Sequence, residues 1–139
     1  MTTTMPARGL DRMSRTGLTV DDLENLDEDL SGRTVYDRNG DEMGEVEDEL
    51  VDSRLLQAPF LLIGWGGILG LGHQQRLVPM EAISRTDPGG VVIDRDRETI
   101  ESSPAYREGL QGDDAELMYR EAYDAYGITP YWMAGQSNS

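Results

Sequence analysis

The arrangement of apolar and polar positions divides the chain into an arm, a strand-rich body and a helical tail. Residues 1–18 show no periodic apolar pattern. Thr19, with Asp22 three residues on and Leu23 and Leu26 on one face, allows a helix of a turn or two before the acidic run 27–29. The expectation for residues 1–29 is therefore a disordered or short-helical arm. The body begins at Ser31. Arg33-Thr-Val-Tyr-Asp37 is short, β-branched and aromatic, as a strand is, and Asn39-Gly40 tolerates the positive φ that a tight hairpin turn demands. Glu45, Glu47 and Glu49 then alternate with Val46, Asp48 and Leu50, which predicts a strand with one wet and one buried face. Phe60-Leu-Leu-Ile63 is continuously apolar and suits a central strand covered on both sides. Arg76-Leu-Val-Pro-Met80 predicts a strand in which Pro79 marks an edge or an end. Val91-Val-Ile93 follows the turn Asp87-Pro-Gly-Gly90. Short strands joined by glycine-rich turns predict a mainly β fold, a small antiparallel barrel or roll.

Beyond residue 95 the period lengthens. Asp113–Tyr126 is predicted as a helix capped by Asp113, with Asp114 and Glu116 near its positive end and Gly127 stopping it. Ala115, Met118, Ala122 and Tyr126 share one face, with Tyr119 and Tyr123 beside them. Tyr131 and Trp132 continue the aromatic tail. An apolar helix face of this kind packs on its own body or in a groove of a partner copy. The second option, preferred slightly, makes Tyr123, Tyr126 and Trp132 interface candidates. The expected organisation is an arm over 1–29, a barrel over 30–104 and an extension over 105–139.

A length of 139 residues suits one domain, and the foldable part is small enough for pairing with a copy of itself to be an expected source of stability. The net charge is −15, which disfavours nonspecific binding to a phosphate backbone or an anionic lipid surface. The chain has no lysine, which excludes a Walker-type phosphate loop and Schiff-base chemistry. It has no cysteine, which excludes disulfides, thiolate catalysis and cysteine-ligated zinc. The opening residues lack an export-type apolar run, and the stretch 58–72 is too short and glycine-rich to span a bilayer, so a cytoplasmic protein is expected.

Few residues suggest chemistry. His73 is the one histidine. Without a nucleophile and an orienting acid it cannot form a triad, so it is read as a loop surface residue, with a pH-sensing contact as the alternative. The alternation places Asp48 inward, where a carboxylate needs backbone amides or an arginine such as Arg33 or Arg54; a ligand or proton site is the alternative. Asp37, Asn39, Asp41 and Glu42 form an oxygen-rich turn whose register does not match a calcium loop. Trp65, Ile68, Leu69 and Leu71 stand in a glycine-rich segment. If it projects, these side chains form an interface; if it folds back, they are a lid on the core.

The ordered set Leu30-Ser-Gly-Arg-Thr-Val-Tyr-Asp-Arg-Asn-Gly-Asp-Glu-Met-Gly-Glu-Val-Glu-Asp-Glu-Leu-Val-Asp52, then the apolar strand and glycine-rich loop 60–72, then Val78-Pro-Met-Glu-Ala-Ile83 and Val91-Val-Ile93, resembles a PRC-barrel domain. The resemblance covers roughly residues 30–104. It implies a small antiparallel barrel and a docking or assembly role, as in many short stress-related or uncharacterised proteins, with no shared catalytic residues. Asp52, at the end of the run Val46–Asp52, stands with Asp37 and Asp48 as a structural or ligand candidate.

The expectation is a non-enzymatic binding and assembly module acting through protein–protein contacts and self-association as a homodimer or larger oligomer, without cofactor or metal. The family tie offers a ribosome- or RNA-associated factor as one alternative, opposed by the charge. A carboxylate-based metal or small-ligand site is another.

Overall fold

The four apolar residues that open the middle of the chain explain the architecture. Phe60, Leu61, Leu62 and Ile63 are all fully buried, although side chains alternate across a strand, so both faces of this strand carry a core. In the computed structural model, which describes residues 11–12, 30–52, 57–66 and 73–136, they lie at the centre of a curled sheet. Its strands are β1 (Asp11–Arg12), β2 (Thr34–Tyr36), β3 (Glu42–Asp52), β4 (Gln57–Trp65), β5 (Gln74–Pro79), β6 (Ile83–Asp87) and β7 (Gly90–Ile93). The order across the sheet is β5-β4-β3-β2-β7-β6, with β1 pairing to β3. Helix α1 (Arg97–Ser102) and helix α2 (Gly112–Tyr126) follow.

The sheet curls into a half-barrel. Leu61 and Ile63 point to its concave side, where they meet Val46, Val78, Val91 and Ile93. Ile100 of α1 and Tyr126 at the end of α2 close that core. Phe60 and Leu62 point to the convex side, where Leu50 and Leu77 join them under Ala115, Met118, Tyr119, Ala122 and Tyr123 of α2. The predicted double cover of this strand is therefore the sheet itself on one side and the C-terminal helix on the other.

The mainly β fold with a C-terminal helix is as expected, and it differs in detail from a closed antiparallel ribbon. Strands β2 and β7 run parallel, with Val35 opposite Val91, and β5 and β6 end the sheet. Pro79 sits at the end of β5, the outermost strand on its side, as its missing N–H requires. Strand β6 was not predicted: Ser84 to Asp87 are exposed and show no alternation. Two residues expected in the arm, Asp11 and Arg12, lie opposite Val51 and Leu50 of β3; the helix read from Thr19 lies outside the described residues.

The turn after β2 is a five-residue connection rather than a two-residue hairpin. Gly40 adopts φ 86° there. Asp37, which is buried, organises it: Oδ1 accepts from the amides of Asn39 and Asp41, both at 2.9 Å. The oxygen-rich turn is thus held by its own backbone.

Both helices depart from the expected caps. Short α1 was not predicted; Asp96 caps it, accepting from the Thr99 amide at 2.9 Å, and that bond is the main cause holding the Asp96 carboxyl below its ordinary value. Helix α2 starts from Gln111 with no side-chain cap, so Asp113 is a first-turn residue and not the cap. Its end is as predicted. Gly127 takes φ 70°, and its amide and that of Ile128 bond to the carbonyls of Asp124 and Tyr123, both at 3.0 Å.

Candidate functional site

The strict alternation of β3 is broken at Glu47. Val46 pairs with Ile63 and Asp48 with Leu62, so two residues of β3 pass one step of β4 and Glu47 is the extra residue of a bulge. The bulge exchanges the faces beyond it. Val46 lies on the concave side, whereas Asp48 and Leu50 lie opposite Leu62 and Phe60 of the convex side. Glu49, expected to be wet, is 1% exposed, and its Oε2 accepts the Leu30 amide at 2.9 Å.

The same bulge turns the Glu47 carboxylate across β4. It passes over Gly64, where a side chain would collide with it. Oε1 accepts from Gln75 Nε2 at 2.7 Å, and Oε2 lies 2.8 Å from His73 Nε2. One carboxylate thereby ties β3 to β5 and the residue before it, across β4. Trp65, at the end of β4, stands next to this group with the Arg76 guanidinium 5.3 Å from its ring centre. Between them opens a cleft of about 510 Å³, lined by Glu42, Glu45, Glu47, Gly64, Trp65 and His73 among others. A partly exposed indole that already receives the chain's own Arg76, with three glutamates lining the same cleft, suits a cation bearing hydrogen-bond donors, a guanidinium or an ammonium group.

Two glycines shape the cleft for different reasons, and this separates the effects of replacing them. A Cβ on Gly44 would strike the backbone carbonyl of Gly64, and one on Gly64 would strike side chains alone, the end of Glu47 and, less closely, the His73 ring. Gly44→Ala must push β3 and β4 apart and is expected to cost about 3 kcal/mol; Gly64→Ala displaces Glu47 and is expected to cost about 1 kcal/mol. Urea denaturation of both variants checks the order. Equal losses would mean that Glu47 does not fill the space over Gly64.

The sequence-derived candidates are dispersed by the fold. Trp65 lines the cleft. Ile68, Leu69 and Leu71, as well as Arg54, lie outside the described residues. Asp37 holds its turn. Asp48 is buried and its Oδ1 accepts the Glu49 amide at 2.8 Å. Asp52 is buried and its Oδ2 accepts from the Tyr131 hydroxyl at 2.8 Å. Tyr123, Tyr126 and Trp132, the interface candidates of the tail, are 0%, 2% and 7% exposed and packed against the cores of their own chain. His73, read as a loop surface residue, is exposed just before β5 and also contacts Glu47. Glu47, Gln75, Gly44 and Gly64 were missed; the glycines on adjacent strands were the signal available. Among the described residues no group of three or more histidine, aspartate or glutamate side chains is placed to hold a metal ion, and no helix is long and apolar enough to cross a membrane.

A curled sheet with a double-sided central strand defines a small β-barrel module. The PRC-barrel domain model matches residues 23–100, more than half of the chain, and the chain belongs to that family. The matched segment begins seven residues before the expected boundary of 30 and stops at α1, leaving α2 outside it. No curated protein matches the chain.

Proposed function

We propose that this chain is a non-enzymatic binding module that recognises a basic segment of a partner protein through the Trp65 cleft and also associates with copies of itself. The observation that carries the reading is the partly exposed indole set among Glu42, Glu45 and Glu47. The surrounding chemistry supports it. Asp37, Asp48 and Asp52 accept hydrogen bonds from the chain's own backbone or a tyrosine, and His73 faces a carboxylate rather than a nucleophile. A net charge of −15 steers basic partners toward the module and opposes RNA.

A short peptide carrying three arginines is the probe, at physiological salt, with its glutamine counterpart as control. The indole N–H signal of Trp65 is expected to shift saturably with the arginine peptide alone. Glu45→Gln combined with Glu47→Gln is expected to weaken binding about tenfold, the equivalent of about 1.4 kcal/mol. Absence of a saturable shift, or unchanged affinity in Trp65→Ala, would overturn the assignment.

A further inference from the structure

The sheet ends at β6, and among the described residues nothing pairs with its outer side. An edge of this kind is ordinarily blunted, because its free N–H and C=O groups are a template for another strand. The charges on β6 do something more selective. Asp87 and Gly90 flank the two-residue turn Pro88-Gly89, and Arg85 and Thr86 lie opposite Val92 and Val91. The pair that flanks a two-residue turn exchanges hydrogen bonds with each other, so the next residue, Thr86, turns its N–H and C=O outward. Arg85 and Asp87 then share one face: their side chains are 68% and 52% exposed and approach to 3.4 Å.

We infer that β6 is a self-pairing edge, and that two copies join antiparallel about a two-fold axis through Thr86. This rests on the self-association in the proposed function and names its surface. In that register the two Thr86 residues exchange both backbone hydrogen bonds. Each Arg85 then faces the second copy's Asp87 across a non-hydrogen-bonded pair, where side chains approach most closely. Moving the axis to Arg85 sets arginine against arginine, and moving it to Asp87 sets aspartate against aspartate, so the charges admit one register and reject its neighbours. The location also answers the objection from net charge. Residues 83–97 carry Arg85, Arg95 and Arg97 against Asp87, Asp94 and Asp96 and are locally neutral in a chain of −15. The edge is held in place beforehand, since Arg33 Nη1 donates to the Asp87 carbonyl at 2.7 Å. One short edge buries much less than the ~1,200 Å² of a stable interface, so the association is weak and dependent on concentration.

Sedimentation equilibrium over a wide concentration range tests this. The unmodified chain is expected to dimerise at high concentration. Arg85→Asp alone and Asp87→Arg alone should each weaken association about tenfold or more. An equimolar mixture of these two variants, and the double variant Arg85→Asp/Asp87→Arg, should both recover it. Both substitutions are at exposed positions, so folding is expected to survive, and circular dichroism verifies that. A spin label on Thr86→Cys, in a chain without another cysteine, should show strong dipolar broadening in the dimer. A strict monomer at every concentration ends both the self-association and the edge. A dimer that ignores the charge changes and leaves the label unbroadened keeps self-association and removes β6 as its surface.

Discussion

Replacing Phe60 with alanine is expected to cost about 3–5 kcal/mol of folding free energy, the range for deleting a fully buried aromatic ring. Phe60 has no exposed surface. Its ring centre lies 4.8 Å from that of Tyr123 and 5.5 Å from that of Tyr119, so it is the point on the sheet against which α2 is set. Trp132 extends the cluster, with its ring 5.9 Å from Tyr123 and edge-on to it. Alanine removes the ring and leaves a cavity between two rigid elements that cannot collapse onto it. Small domains hold about 5–15 kcal/mol in total, so much of the stability goes with one side chain. Phe60→Leu, expected to lose about 1–2 kcal/mol, keeps the measurement accessible if the alanine variant is largely unfolded. Leu117, half exposed on the same helix, is the control, with an expected change within about 0.5 kcal/mol on replacement by alanine. Urea unfolding followed by circular dichroism gives all three. A Phe60→Ala loss below 1 kcal/mol, or one that varies with protein concentration, would mean that α2 does not pack on its own sheet.

That packing is where the sequence was least informative. Tyr123, Tyr126 and Trp132 read as an apolar helix face and tail, and the pattern of an amphipathic helix is the same whether its groove is its own or another copy's. Helix periodicity fixes which side chains are buried; it does not say against what. The run Phe60–Ile63 was different, because four successive apolar residues call for a cover on both sides; that the second cover is α2 came from the structure. The turn at Asp87–Gly90 and the stop at Gly127 were legible from residues whose backbone freedom is local chemistry. Strand β6 was not, since an exposed edge strand has no buried face to impose alternation.

The cleft was hidden for a related reason. Alternation along β3 assigned Glu47 and Glu49 the same wet face and put Asp48 beside Val46. One inserted residue at Glu47 reversed the assignment downstream, burying Glu49 and moving Asp48 to the helix side. A bulge is set by the pairing of two strands distant in sequence, so no pattern within one strand reveals it. Gly44 and Gly64 carry its trace: the backbone carbonyl of Gly64 fills the space a side chain at Gly44 would need, and the Glu47 carboxylate lies over Gly64. Recognising them as partners needed the register that only the sheet supplies.

Alkali should unfold this protein in a way that two tyrosines control. Tyr123 and Tyr126 are 0% and 2% exposed, and their hydroxyls make no hydrogen bond; Ser103 and the Tyr131 backbone lie near them without reaching bonding geometry. Burial pushes Tyr126 up to about 12, outweighing Arg95 and Arg76 nearby. Burial, with the Glu81 carboxylate adding to it, raises Tyr123 further. Both folded-state values lie above the ordinary 10, so below pH 10 each tyrosine is protonated in both states and stability is unaffected. Above pH 10 the unfolded chain releases protons that the folded chain retains. Stability then falls as pH rises, by about 1.4 kcal/mol per unit for each tyrosine, until the folded-state value is passed, at about 12 for Tyr126. Urea unfolding at pH 8, 10, 11 and 12 is expected to give a flat segment and then a loss of nearly 3 kcal/mol per unit from the two together. Tyr123→Phe should halve that slope. At neutral pH it should be neutral or mildly stabilising, since it removes a buried hydroxyl that has no partner. The double variant Tyr123→Phe/Tyr126→Phe should remove most of the slope, and if the fall above pH 10 persists in it unchanged, these two hydroxyls are not what alkali attacks.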